Sequence, residues 1–165
     1  ERALALIDKM RDASVSPTAI SFSAAISACE NGGQWEQAVS LFSKMREAAV
    51  TPNVFSFTAV ISACEKGGQW EEALSFNSQM QTAGVTRNMV TFNAVLLACE
   101  KGMQWEQALS SLDEMQEMGV VPDVFSFSAA IHACRRAERP VEARQVFDRA
   151  VDAIGPEGEL FNAVL

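Results

Sequence analysis

The sequence is poor in the residues that catalytic and metal sites need. Its 165 residues include one histidine, His132, and its four cysteines never form a Cys-x-x-Cys motif. The usual spacing of zinc ligands is therefore missing, as is the zinc signature of the nucleobase deaminases. A nucleophile, a base and an orienting residue cannot be assembled around His132. The sequence thus predicts a protein that is not an enzyme, with no metal, no cofactor and no small-molecule substrate.

Positive charge and long apolar runs are also scarce. Thirteen Lys and Arg oppose 21 Asp and Glu, which gives a net charge of −8. Because phosphate affinity comes mainly from Lys and Arg, non-specific nucleic-acid binding is disfavoured, whereas a binder with locally placed positive charge is not excluded. No stretch approaches the roughly 18–20 apolar residues that cross a bilayer. The N-terminal Glu1-Arg-Ala-Leu lacks the form of a signal peptide, so neither membrane insertion nor a targeting segment is expected in this chain.

A period of 35 residues runs through the whole sequence. The tryptophans and the cysteines both follow it, at Trp35, Trp70 and Trp105 and at Cys29, Cys64, Cys99 and Cys134. A proline keeps the same register in three units, and Arg87 stands where the proline of the remaining unit is expected. Such a sustained period predicts a solenoid. Strand-like alternation does not persist anywhere, so the predicted fold class is all-α.

Each unit has the pattern of two helices joined by a glycine turn. Apolar residues recur at helical spacing in both helices, and the second helix begins at the tryptophan. We expect the tryptophans to pack in the core. The cysteines should be buried, small packing residues, because neighbours one repeat apart lie about 8–10 Å from each other, too far for a disulfide. His132 replaces Ser27, Ser62 and Leu97 of the other units, which indicates a surface position.

The period also predicts the boundaries of the units. Glu1 aligns with Glu36 and Leu165 aligns with Ile131, so we expect both terminal units to be incomplete and the array to continue beyond them. The predicted segments are a second helix at 1–18, repeats at 19–53, 54–88, 89–123 and 124–157, and the start of another repeat at 158–165.

The strings Gly-Gly-Gln-Trp-Glu-Glu-Ala-Leu at 67–74 and Met-x-x-x-Gly-Val-x-Pro-Asp at 115–123 resemble pentatricopeptide repeats. The resemblance covers essentially the whole chain. The main alternative, the tetratricopeptide repeat, has a period of about 34 residues and different marker residues. The resemblance implies a right-handed α–α superhelix that binds single-stranded RNA at one base per repeat, in a chloroplast or a mitochondrion.

The resemblance also implies which residues select the bases. Each pair joins the residue after the first-helix aromatic to the Asn or Asp before the next first helix, as in Ser23 with Asn53, Thr58 with Asn88, and Asn93 with Asp123. The family's code then implies the readout A-A-U in the 5′ to 3′ direction. In the fourth unit Ser128 has Glu157 or Gly158 as its partner, which departs from the code. An alternative is that Asn53, Asn88 and Asp123 only cap helices.

Two further sets of residues follow from the resemblance. Residues three positions before each selector are implied to stack on bases, and residues after the Cys-Glu pair are implied to meet phosphate. The stacking set is Ile20, Phe55, Val90 and Phe125, and the phosphate set is Lys66, Lys101 and Arg136, with Asn31 as the exception. The first-helix bodies at 21–28, 56–63, 91–98 and 126–133 contain no Asp, Glu, Lys or Arg. The negative charge therefore falls mainly on second helices and turns.

Two functions fit these patterns. The first is sequence-selective binding of single-stranded organellar RNA. The second is a protein-interaction scaffold, such as an accessory subunit of an organellar ribosome or membrane complex, which the acidic second helices favour. A solenoid offers a broad surface for either role.

Overall fold

The computed structural model describes residues 5, 7, 9, 10 and 16–155, so the expectations for Glu157, Gly158 and the last residues lie outside the described part. Residues 16–155 form eight α-helices, and no strand occurs among the described residues. None of these helices is long and apolar enough to cross a membrane. The helices are α1 (Ala19–Asn31), α2 (Trp35–Glu47), α3 (Val54–Lys66), α4 (Trp70–Thr82), α5 (Met89–Lys101), α6 (Trp105–Glu117), α7 (Val124–Arg136) and α8 (Pro140–Ile154).

The chain divides into two compact units, Glu1–Arg87 and Asn88–Leu165. In the first unit, α1 and α2 form one hairpin, α3 and α4 form the next, and α1 packs on α3. In the second unit, α5 with α6 and α7 with α8 form the hairpins, and α5 packs on α7. First helices therefore pack on first helices, as expected where a single hairpin is too thin to bury its own apolar stripe.

The first helices supply most of the core. In α3, Val60, Ile61 and Cys64 have no exposed surface, and Ala59 and Ala63 are also buried. The alanines leave room for the neighbouring first helix, since small residues let two helices approach closely. The second helices bury narrower stripes, such as Ala38, Leu41, Phe42 and Met45 in α2. The charged residues of the second helices therefore lie outside the core.

Each hairpin turn closes with the same pair of backbone hydrogen bonds. After α3, the Gly68 amide donates to the Glu65 carbonyl and the Gln69 amide donates to the Cys64 carbonyl. This is a Schellman motif, whose left-handed residue is the second of the turn, Gly68, at φ +74°. In the later repeats Met103 and Glu138 take this conformation at φ 54° and 57°. Glycine is therefore favoured at this position but replaced in two turns.

The tryptophans are not enclosed in the core, and the prediction that they would be is wrong. All three are partly exposed, because each begins a second helix at the edge of its hairpin. Trp35 packs against the turn of the next repeat, where a Cβ atom on Gly67 would lie 2.4 Å from its Cδ1 atom. Trp105 contacts the corresponding turn through the Arg139 guanidinium, 4.2 Å from the ring centroid. The tryptophan thus joins successive hairpins within each unit.

All four cysteines are buried free thiols, as predicted. Burial raises the pKa of Cys64 and Cys99 to about 12 and that of Cys134 to about 11, and it also raises the pKa of Cys29. A thiol with a raised pKa stays protonated at neutral pH and is a poor nucleophile. No cluster of His, Cys, Asp or Glu suited to a metal ion occurs within the described residues.

Replacing Gly67 by Ala should destabilise the chain by about 1–3 kcal/mol, because the added methyl group overlaps the Trp35 side chain. The matched control is Gly32→Ala, one repeat earlier, where the nearest atom to an added Cβ is the Ala28 carbonyl oxygen at 3.4 Å. That variant should stay within about 0.5 kcal/mol of the parent. Urea denaturation of the three chains measures the difference. Equal stabilities would show that the Trp35 contact contributes little.

The chain should lose stability as the pH rises from about 9 towards 12. The unfolded thiols titrate near their ordinary pKa of 9.0, whereas the buried Cys64 and Cys99 thiols titrate at about 12. The unfolded state therefore loses protons first, and the free energy of unfolding falls with pH in this window. Urea denaturation at pH 8 and pH 10.5 measures the change, with the double variant Cys64→Ala/Cys99→Ala as the control. A parent and a control with the same pH dependence would contradict this account.

Candidate nucleic-acid interface

Each first helix begins at a side-chain N-cap. Side-chain oxygens of Thr18, Asn53, Asn88 and Asp123 accept the backbone N–H three residues on, at 3.4, 3.0, 3.0 and 2.9 Å. Asn53, Asn88 and Asp123 therefore cap helices, a role that does not by itself exclude contact with a base. A cap occupies only Oδ1, so the amide nitrogen of an Asn or the second carboxylate oxygen of Asp123 remains for another contact. Capping fixes these side chains in place at the start of the helix.

The structure brings Ser23 and Asn53 together. The Ser23 hydroxyl lies 3.3 Å from Asn53 Oδ1 and 2.7 Å from the Ala19 carbonyl oxygen. One hydroxyl proton serves one acceptor at a time, and the shorter distance favours the carbonyl. Ser23 is only 8 % exposed, while Asn53 is partly exposed. The more accessible member of this pair is therefore the Asn53 side chain.

Asn93 and Asp123 are joined through a third residue that the sequence did not single out. The Ser126 hydroxyl lies 2.7 Å from Asn93 Oδ1 and 2.9 Å from Asp123 Oδ1. Ser126 has no exposed surface, whereas Asn93 and Asp123 are partly exposed. One sequence signal could have identified Ser126: a Ser or Thr recurs at the third position of the first helices, at Ser21, Ser56, Thr91 and Ser126.

The other predicted selectors have different surroundings. Thr58 is partly exposed on α3, and Asn88, which precedes α5, is exposed. Thr58 lies in the first compact unit and Asn88 in the second. Ser128 is partly exposed and lines an open cavity of about 450 Å³ together with Asp123, Val124 and Phe125. This cavity brings a predicted stacking residue next to two predicted selectors.

The predicted stacking residues form the clearest feature of the surface. Ile20, Phe55, Val90 and Phe125 are 79, 69, 62 and 47 % exposed. Each is the second residue of a first helix, and each lies three residues before a predicted selector. Residues three apart are neighbours on one helix face, so every exposed apolar side chain lies beside a polar one. The same pairing of an apolar face with a polar group occurs at the start of all four first helices.

The predicted phosphate residues lie at the opposite ends of these helices. Lys66, Lys101 and Arg136 are the last residues of α3, α5 and α7, and all three are exposed. Lys66 Nζ lies 2.7 Å from Glu30 Oε1 on the preceding first helix. Arg136 lines a shallow cavity of about 360 Å³ with Arg135, His132 and Glu100. His132 is partly exposed, with Nδ1 3.7 Å from Glu100 Oε1, in agreement with the predicted surface position.

Comparison with known sequences identifies the family. The model of the pentacotripeptide-repeat region of PRORP matches residues 1–159. No curated protein sequence matches the chain.

Comparison with solved structures agrees with this result. The pentatricopeptide repeat protein PPR10, solved in complex with an 18-nucleotide psaJ RNA element, is 28 % identical over 99 % of this chain, with a TM-score of 0.68. The PPR domain of Arabidopsis thaliana PRORP1, in complex with tRNA, is 19 % identical over 84 % of this chain, with a TM-score of 0.76. Nuclear PRORP2 from A. thaliana is 18 % identical over 99 % of this chain, with a TM-score of 0.82.

The chain spans only part of these proteins, namely 22 % of PPR10, 74 % of the PRORP1 domain and 37 % of PRORP2. The two PRORP similarities, at below 25 % identity, support the fold, and they confirm the predicted class of an all-α superhelix of helical hairpins. The matched family model covers nearly the whole sequence. The chain belongs to the pentatricopeptide-repeat family.

Proposed function

We propose that this chain binds single-stranded RNA, with the bases placed along the starts of the first helices. The observation that carries the proposal is the repeated pairing of an exposed apolar side chain with a polar one at the start of α1, α3, α5 and α7. Stacking on apolar and aromatic side chains contributes about 1–3 kcal/mol per base and suits unpaired strands. PPR10 and the PRORP1 domain were both solved with RNA, which supports the same role here.

The acidic composition is compatible with this role because of where the charges lie. The first-helix bodies are uncharged, and Lys66, Lys101 and Arg136 stand at their C-terminal ends. In the ion pair of Lys66 with Glu30 the Lys66 side chain is 47 % exposed and the Glu30 side chain 17 % exposed. A phosphate can compete with Glu30 for the exposed Lys66 ammonium group. With few cations available, affinity for RNA should be modest and should come largely from base contacts.

The finer proposal is base selection with the readout A-A-U. Asn53 and Asn88 use Oδ1 for capping and keep an amide donor, as the adenine-reading pairs require. Asp123 instead keeps a carboxylate oxygen, an acceptor for the N3–H of uracil. The change from Asn to Asp therefore exchanges a donor for an acceptor without removing the cap. Ser128 receives no base assignment.

The organellar location and the RNA process remain predictions from the family resemblance. One structural neighbour, PRORP2, is described as nuclear, so family membership alone does not fix the compartment. The resemblance favours a role in RNA processing, stability, editing or translation. PPR10 and the PRORP1 domain were both solved with RNA, and we therefore propose RNA binding over the scaffold alternative.

A fluorescence-anisotropy titration tests the proposal. The chain should bind a labelled single-stranded RNA containing A-A-U more tightly than a scrambled control, and the affinity should weaken between about 50 and 200 mM salt. Phe55→Ala should lower the affinity about tenfold through lost stacking. Val141→Ala is the matched control, since Val141 is also an exposed second residue of a helix but lies on the second helix α8. Absence of binding to both RNAs would refute RNA binding and favour the scaffold role.

The double variant Asn93→Ser/Asp123→Asn should move the preference at one base from uracil to adenine. It recreates the Ser23 and Asn53 pair, and a gain or loss of one base contact corresponds to about 1–3 kcal/mol, or about 5- to 150-fold in affinity. Helix α7 should remain capped because Asn caps as well as Asp. Competition between RNAs differing at that base measures the preference. Unchanged selectivity with an unchanged melting temperature would refute the base assignment and leave the fold intact.

A further inference from the structure

We propose that Ser126 is a positioning residue that sets the orientation of the Asn93 side-chain amide and thereby the preference for uracil. The inference rests on the proposed function, in which Asn93 and Asp123 contact one base. Ser126 is completely buried and contacts both residues through its hydroxyl group. It therefore acts through them and does not touch the RNA.

The distances decide where the single hydroxyl proton goes. Ser126 Oγ is 2.7 Å from Asn93 Oδ1 and 2.9 Å from Asp123 Oδ1. Asp123 Oδ1 already accepts the backbone N–H of Ser126 at 2.9 Å. The hydroxyl proton is thus best used by Asn93 Oδ1, which is the closer acceptor. With its oxygen held in this way, Asn93 turns its amide N–H groups away from Ser126.

This orientation matters because an Asn side chain presents a donor or an acceptor depending on how its amide is turned. With Oδ1 held by Ser126, Asn93 offers N–H donors, and Asp123 Oδ2 offers an acceptor. Uracil carries an N3–H donor between two carbonyl acceptors, so this combination matches its edge. Cytosine has an acceptor and an amino donor in the corresponding places. A freely turning Asn93 amide would accommodate cytosine as well.

The corresponding serine of the second repeat has different partners. The Ser56 hydroxyl accepts from the Asn53 backbone N–H and donates to the Asn53 carbonyl, both at 2.9 Å. On the preceding first helix the position equivalent to Asn93 is Ser23, whose short side chain reaches Asn53 Oδ1 directly at 3.3 Å. Ser56 and Ser126 are both fully buried third residues of first helices. Ser56 is therefore a matched control that shares the helix position, but its hydroxyl contacts the backbone of Asn53 and not the side-chain amide of a selector.

The experiment measures the ratio of affinities for RNAs that carry uracil or cytosine at the third position of A-A-U. Ser126→Ala should lower the preference for uracil about fivefold, the effect of losing one hydrogen bond that orients a contact group. Ser126→Thr keeps the hydroxyl and should restore the preference, as Thr91 already holds this position in α5. Ser56→Ala should leave the uracil preference unchanged.

A double-mutant cycle separates orientation from general damage to α7. In an Asn93→Ala background, Ser126→Ala should cause no further loss of uracil preference, because no amide remains to be oriented. Should the alanine variant melt below the assay temperature, Ser126→Cys replaces it, since a thiol is a similar size but a weak donor. A Ser126→Ala chain that folds and keeps the full preference would overturn this inference alone. A parent chain that binds RNA without preferring uracil would overturn the proposed base selection together with it.

Discussion

The hydrogen bond from a side-chain oxygen to the backbone at the start of each first helix is the interaction on which the candidate site depends. It fixes the first residue of the helix, and the first residue determines which side chains follow on the same face. In α7 the Asp123 cap places Phe125 and Ser128 around one open cavity. The cap also holds the Asp123 carboxylate at the surface with one oxygen unused by the helix. In the proposed function, the residue that caps the helix is also the residue that contacts a base.

Under the proposed readout, one residue both caps a helix and selects a base, and the two roles are chemically compatible. Asn and Asp cap helices about equally well, so an exchange between them changes little in stability. The same exchange replaces an amide donor by a carboxylate acceptor at the position offered to a base. A fold built from such caps can vary its recognition surface from repeat to repeat while the hairpins continue to pack through their buried stripes. The acidic second helices lie apart from this surface.

The sequence alone predicted the all-α fold, the repeated helical hairpins, the buried cysteines and the surface position of His132, because these depend on residue spacing and on local capping. It did not predict that the tryptophans are partly exposed. The apolar stripe of the second helix shows which face is buried, but not that the first residue of that helix lies at the edge of the hairpin. Arg87, which replaces a proline, is buried, and its Nη1 atom lies 3.5 Å from Asn77 Oδ1. Asn77 is a polar residue at a position of the second helix where the other repeats have an apolar one. Arg87 and Asn77 thus depart from the repeat pattern at two positions that are in contact. Comparing the repeats shows each departure but does not show this contact. The bridge through Ser126 is likewise a contact between adjacent first helices.

An NMR titration of the isotope-labelled chain tests most directly whether RNA lies along the starts of the first helices. On addition of A-A-U RNA, the account predicts shifts at Phe55, Val90 and Phe125 and at the side-chain amides of Asn53 and Asn93. Resonances from the exposed faces of α2, α4, α6 and α8 should stay unchanged. Shifts confined to those second helices, with none at the helix starts, would contradict the account.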